Sequence, residues 1–397
     1  MDERPLGFMR RVIVLLTAVL FVATSMAGCL ETFASNSAPV AVINVSPAGT
    51  VKVGDTVTFD ASSSYDPDVA DTLKFSWDFG DGNVVTIGNP GQNKEVEHVY
   101  KTENPSGYTV TLEVSDNELV ATTTTIVKVA GADAVLPTAS VITYKDNDCT
   151  GEDPPAGSNF ILAWICEEEM ETSDDTVDTK TTIQLDGSDS SAGDSSSYLT
   201  DYEWDVDGDG NTDFTGENTE WTNVGPGEYE IRLTVTDNQG FTDVMDLDVF
   251  VNYRGAWAEF TIDSNTSSGD PIVTFAFPIT YNQDSGNTIR YVKVGFSYPH
   301  LDDDWQMGTC TESNTACHNN LDAYVYNSST EEVANTTYLD DGSRTAGDCP
   351  DDDRCVELRL STQHFRNYLD GGWTVDLVNE KSHDTTVKSF VIILEYK

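Results

Sequence analysis

The chain has 397 residues and carries 68 acidic against 21 basic side chains, a formal charge of −47. Such a charge is repelled by nucleic acid and by an anionic membrane surface, and it excludes both as electrostatic partners. Hydrophobic residues at 38% and aromatics at 10% supply enough apolar surface for packed cores, so a globally disordered chain is excluded as well.

Residues 1–28 read as a secretion signal. Arg10 and Arg11 precede an apolar run, Val12 to Val22, that is too short for a comfortable bilayer span, and small residues follow. The sequence Ser25-Met26-Ala27-Gly28 before Cys29 resembles the lipobox of prokaryotic lipoproteins. That resemblance implies a lipid on Cys29, a tether over 29–37, and a place on the extracellular face of the cell membrane, with the lipid as the membrane contact. An ordinary signal peptide with a stray cysteine, or an uncleaved anchor, stays open. Six cysteines remain after Cys29, and they fall into three local couples. In an exported chain these are expected to be disulfides, Cys149–Cys166, Cys310–Cys317 and Cys349–Cys355. No CxxC spacing occurs, and a zinc site is not expected.

Beyond the tether, apolar residues alternate with period two. Val57 and Phe59 share a face, as do Phe75, Trp77 and Phe79, and Tyr108, Val110, Leu112 and Val114. The pattern also repeats. FSWDFGDG at 75–82 returns as YEWDVDGDG at 202–210, and YTVTLEVSDN at 108–117 returns as YEIRLTVTDN at 229–238. Two motifs recurring at nearly constant separation mark tandem copies of one module. Trp77 and Trp204 are expected to fill the space between packed sheets, with the Asp-Gly steps after them forming tight turns.

The order TVTFDASSSYDPD, FSWDFGDG, HVYKTENPSGYTVTLEVSDN resembles the PKD domain, which implies an immunoglobulin-like β-sandwich over 38–130. The second copy spans 136–252. It departs by an acidic insertion near 146–180 that holds Cys149 and Cys166, and it lacks the His98-x-Tyr100 pair. Residues 255–397 form a third unit, with strands expected near 272–279, 289–298, 321–326, 355–360, 373–378 and 389–396, and a brief helix at 362–369. The pieces LDAYVYN and GGWTVDLVNEK resemble the pre-peptidase C-terminal and proprotein-convertase P-type modules, which implies a jelly-roll-like sandwich. The expected fold is therefore all-β: tandem immunoglobulin-like, PKD-type sandwiches followed by a C-terminal jelly-roll-like sandwich.

Asp205, Asp207, Asp209, Asn211 and Asp213 present oxygens at alternate positions around two glycines, as a calcium loop requires. The stretch resembles the start of an EF-hand loop, but Gly216 stands where the final Glu belongs. An acidic turn whose carboxylates cap backbone amides reads the residues equally well. The PKD resemblance implies a second calcium set, Asp66, Asp68, Asp78 and Asp81, with the same alternative. None of the five histidines, His98, His300, His318, His364 and His383, lies in HExxH, and no GxSxG occurs, so no enzyme is expected. A cleft gathering His300, His318 or His364 with carboxylates would point the other way. Trp221, Trp257 and Trp305 are candidates for stacking on sugar, or for packing. The functional expectation is a non-catalytic cell-surface spacer and adhesion array with a surface protein or polysaccharide as partner. The alternatives are an accessory binding subunit of an extracellular hydrolase system, or a secreted hydrolase with its site in 255–397.

Overall fold

The computed structural model describes residues 36–397, apart from 69–70, 87, 154–158, 281–288, 303–304, 306–307 and 366–369. The signal segment, Cys29 and all but the last two residues of the 29–37 tether lie outside the described residues. Of the helix expected at 362–369, one turn, Thr362–Phe365, is formed, and the remainder lies outside them too. The chain divides into two compact units: residues 1–47 with 51–132, and residues 133–397 with 48–50.

The first unit is a sandwich of two sheets. Its strands are β1 (Asn44–Ser46), β2 (Val51–Lys52), β3 (Thr56–Asp60), β4 (Lys74–Asp78), β5 (Val84–Val85), β6 (Glu95–Val99), β7 (Asn104–Ser115) and β8 (Val120–Ala130). One sheet has the order β1-β3-β6, the other β2-β8-β7-β4-β5. Alternation decides which side chains meet: Val57 and Phe59 from one sheet face Phe75, Trp77, Leu112 and Val114 from the other, all buried. Trp77 lies across from Leu112 in the ladder, and its indole N–H donates to the Asn93 carbonyl at 2.9 Å. Gly80 has φ +77°, and a side chain there would strike the Thr109 carbonyl, so the turn after β4 requires glycine at this position; Gly82 of the Asp81-Gly82 step also has positive φ, +92°, but open space around it.

The second unit opens with the same arrangement. Its strands are β9 (Phe160–Met170), β10 (Thr181–Asp186), β11 (Leu199–Asp205), β12 (Phe214–Thr215), β13 (Asn218–Val224), β14 (Gly227–Asp237) and β15 (Thr242–Trp257). The order β12-β11-β14-β15 reproduces β5-β4-β7-β8. Trp204 lies across from Leu233 as Trp77 lies across from Leu112, and its N–H donates to the Gly216 carbonyl at 3.0 Å. Asp116 and Asp237 match too: each is buried, with one carboxylate oxygen accepting two backbone amides of the turn that follows. The two copies are therefore the same module at the level of individual contacts.

The boundary expected between 252 and 255 falls inside a strand. β15 runs for 16 residues. Its first part, Thr242–Val251, pairs antiparallel with β14, and its last part, Tyr253–Trp257, pairs antiparallel with β24 (Ser389–Glu395). β9 lies parallel along Asp248–Trp257. A strand has two edges, so β14 and β24 meet end to end on one edge while β9 covers the join from the other. Asn252 marks the meeting point: it is buried, and its Oδ1 accepts the Tyr396 amide at 2.8 Å. The acidic insertion thus contributes a sheet strand. Its run Phe160-Ile161-Leu162-Ala163 is buried without alternation, as a strand covered on both faces should be.

The remaining strands are β16 (Phe260–Ile262), β17 (Ile272–Ile279), β18 (Tyr291–Pro299), β19 (Leu321–Tyr326), β20 (Glu332–Asn335), β21 (Asp353–Ser361), β22 (Gly371–Asn379) and β23 (Thr385–Val387). The sheet β17-β22-β19-β20 packs over the continuation β15-β24-β18-β21. Phe275 and Phe390 stack at 4.1 Å in its core. The three expected disulfides are formed, with Cα–Cα distances of 5.5, 5.7 and 5.7 Å.

Candidate functional site

The acidic loops are first of all turns. Asp205 accepts the amides of Gly208 and Gly210, Asp213 accepts that of Val206, Asp207 that of Asp209, and Asp209 that of Asn211. Three of the five predicted ligands still converge: carboxylate oxygens of Asp205, Asp207 and Asp213 lie within 4.8 Å of one another. Asp209 does not join that group; both of its carboxylate oxygens accept from Asn211. In the first unit the predicted set divides. Asp78 and Asp81 cap the turn after β4 through Gly80 and Asn83, and Asp81 also meets His98 at 2.8 Å. Asp68 accepts the Ser37 amide, whereas Asp66 groups with Asp71 and Asp116. Burial and then the neighbouring carboxylates, Asp66 foremost, push Asp71 above the usual carboxylate range.

The tryptophans separate in the same way. Trp257 is buried against Phe275 and Phe390, and its N–H donates to the Asp174 carbonyl at 3.1 Å. Trp221 packs edge-to-face on Tyr229. Trp305 meets His383 edge-on at 5.5 Å and keeps part of its surface exposed. An aromatic that the sequence reading passed over is Trp164 on β9. It lines a cleft beside Asn252 together with Arg254, Arg290, Tyr291 and Glu395. Both arginines are already engaged, Arg254 with Glu168 and Arg290 with Glu395. A half-buried indole and two fixed ion pairs thus share one cleft.

Two of the five histidines, His300 and His318, converge on one carboxylate. His300 follows β18, His318 follows Cys317, and Asp341 sits in a short turn, Asp341–Ser343. His300 Nε2 lies 3.0 Å from Asp341 Oδ2 and 3.2 Å from His318 Nδ1, and His318 Nδ1 lies 4.0 Å from the same Asp341 oxygen. Arg354 grips Asp341, Nε to Oδ1 at 2.7 Å and Nη2 to Oδ2 at 3.1 Å. The Arg354 hydrogen bond outweighs burial and holds the Asp341 carboxyl below its usual range, so it is ionised at neutral pH. His383 comes close by way of Asn319, which accepts from its Nε2 at 3.1 Å, and burial lowers its basicity. His364 stays apart on the helical turn, with its ring on Ser361. His98 serves the first unit, stacked on Phe79 at 4.1 Å.

Residues 36–130 and 168–251 match the family model of the PKD domain. The chain is 32% identical over 140 residues to a microbial collagenase of Vibrio alginolyticus, a match covering 34% of this chain and 16% of that protein. Among solved structures it is similar to the PKD1 domain of Vibrio anguillarum Epp, at 28% identity, with 24% of this chain and 99% of that one covered and a TM-score of 0.18. It is also similar to carbohydrate-binding modules of the β-sandwich superfamily, at 15% identity, with 91% and 97% covered and a TM-score of 0.21.

Proposed function

We propose, from the premise that residues 36–130 and 168–251 are PKD domains, that the chain is a non-catalytic cell-surface lipoprotein whose sandwiches hold a binding face away from the membrane. The observation that carries this reading is the unbroken strand β15. It joins the second PKD domain to the C-terminal sandwich with no linker, so whatever that sandwich binds is held in fixed geometry. The Trp164 cleft beside the join is the proposed contact surface, with a polysaccharide or a surface protein as partner. The lipid on Cys29 completes the scheme. Cys29→Ser is expected to move the protein from the membrane to the soluble fraction, and unchanged membrane retention would remove the anchor.

Binding is tested with the full chain against residues 36–132 alone, on a panel of polysaccharides and surface proteins. Retention of the full chain, none of the fragment, and loss with Trp164→Ala is the expected result. Equal retention of the fragment would move the binding face to the first unit. Trp257→Ala is unsuitable, since Trp257 is part of the core. The likeness to part of a microbial collagenase favours a second reading, an accessory binding subunit of an extracellular hydrolase system. Co-purification with a separate hydrolase would select it.

Calcium belongs to the proposal at Asp205, Asp207 and Asp213, and at Asp66, Asp71 and Asp116. An ion that binds only the folded chain stabilises it by about 2.7 kcal/mol at a hundredfold excess over its dissociation constant. Thermal unfolding is expected at higher temperature in calcium than in chelator, with the difference reduced by Asp213→Asn. Superimposable melting curves would remove calcium from the scheme.

A further inference from the structure

We propose that His300, His318 and Asp341 bind a divalent transition-metal ion of the zinc class through His300 Nε2, His318 Nδ1 and Asp341 Oδ2. The three donor atoms are spaced for one centre. Bonds of about 2.0–2.1 Å in a tetrahedral site put neighbouring donors about 3.3 Å apart. The observed separations of 3.0, 3.2 and 4.0 Å straddle that value. Hydrogen bonding satisfies the cluster poorly. A single proton on His300 Nε2 faces two acceptors at once, the His318 nitrogen and the carboxylate, whereas a cation takes a lone pair from all three together.

Each donor is also held from behind, as metal ligands are. His300 Nδ1 lies 3.2 Å from Glu312 Oε1, and His318 Nε2 lies 3.4 Å from the Thr311 carbonyl. The shorter arm of the Arg354 fork holds Asp341 Oδ1, the oxygen that the metal would not use, and the longer arm, at 3.1 Å, shares Oδ2 with the metal. The disulfides fix the loops next to these groups. Cys317, bonded to Cys310, precedes His318, and Cys355, bonded to Cys349, follows Arg354. The imidazole and carboxylate donors suit zinc, with copper(II) a stronger competitor by general affinity order. Three protein ligands leave a fourth position for water or for an oxygen of a bound partner.

The test is a cobalt(II) titration of the full, oxidised chain, stripped with chelator and held in excess calcium so that oxygen-only clusters are filled. One equivalent is expected to develop visible absorption that zinc displaces. His318→Ala is expected to abolish it, and His364→Ala to leave it unchanged. Glu312→Gln, at an exposed position that the fold does not need, is expected to weaken cobalt binding about 10-fold. The proposal is overturned if the wild type develops no absorption, or if His318→Ala, folded by circular dichroism, binds cobalt as tightly as the wild type. Should His318→Ala fail to fold, wild-type affinity in Glu312→Gln overturns it instead.

Discussion

Trp204→Ala is expected to lower the unfolding transition of residues 133–397 as a whole and to leave that of the first unit in place. The indole is fully buried and lies across from Leu233, and removing so large a side chain from a core costs about 3–5 kcal/mol. In a unit of this size that corresponds to a fall in melting temperature of roughly 10 °C. The C-terminal sandwich is expected to fall with it, because its sheet begins as the second half of β15 and the hydrophobic core is continuous across the join. Trp77→Ala, in the equivalent contact of the other copy, is expected to shift only the other transition. Scanning calorimetry of both variants separates the cases. A Trp204→Ala trace in which residues beyond 257 melt at their wild-type temperature would break the two sandwiches of the second unit apart.

The second large effect is expected at Arg344. Its guanidinium and the Asp322 carboxylate are 2% and 4% exposed, and Nη2 donates to Oδ1 at 2.8 Å. Thr336 donates to the same oxygen at 2.8 Å, and Nη1 donates to the Tyr298 hydroxyl at 3.2 Å. Arg344→Ala strands a carboxylate in the core, where breaking a buried pair costs about 3–5 kcal/mol. Arg344→Lys is expected to recover little, since one ammonium cannot reproduce the fork. Arg344→Met combined with Asp322→Asn removes both charges and is expected to regain most of the loss. Urea unfolding of the three variants decides the matter, and an Arg344→Ala unfolding free energy within about 0.5 kcal/mol of wild type would show the pair to be dispensable.

The repeat was readable because its determinants are local. Period-two runs around Trp77 and Trp204, and Asp-Gly turns at fixed offsets, specify the same ladder twice. The disulfide couples were readable for the same reason: each closes a short loop. What escaped depends on distant chain. The segment 146–180 was read only as an acidic insertion in the repeat, although the unbroken apolar run from Phe160 to Ile165 was the available sign of a doubly covered strand. The length of β15 was hidden because burial in Val249–Tyr253 loses its alternation where β9 covers it. His300, His318 and Asp341 share no motif. Cysteine spacing carries no zinc signal here; a bridge between Leu301 and His318 joins the two histidine loops, and Arg354 of β21 draws in Asp341. The four aspartates and Asn211 of 205–213 read equally as a calcium loop or as a capped turn, and the short turn draws Asp209 away from the other three carboxylates.

The continuity of β15 also sets how the protein carries tension. A conventional linker gives slack, and a pull on two domains first straightens it. Here a pull that separates the second PKD domain from its neighbour loads one strand lengthwise, with β9 lying across the same join. The backbone bonds on either side of Asn252 must then yield in shear, many at once, rather than unzip one by one.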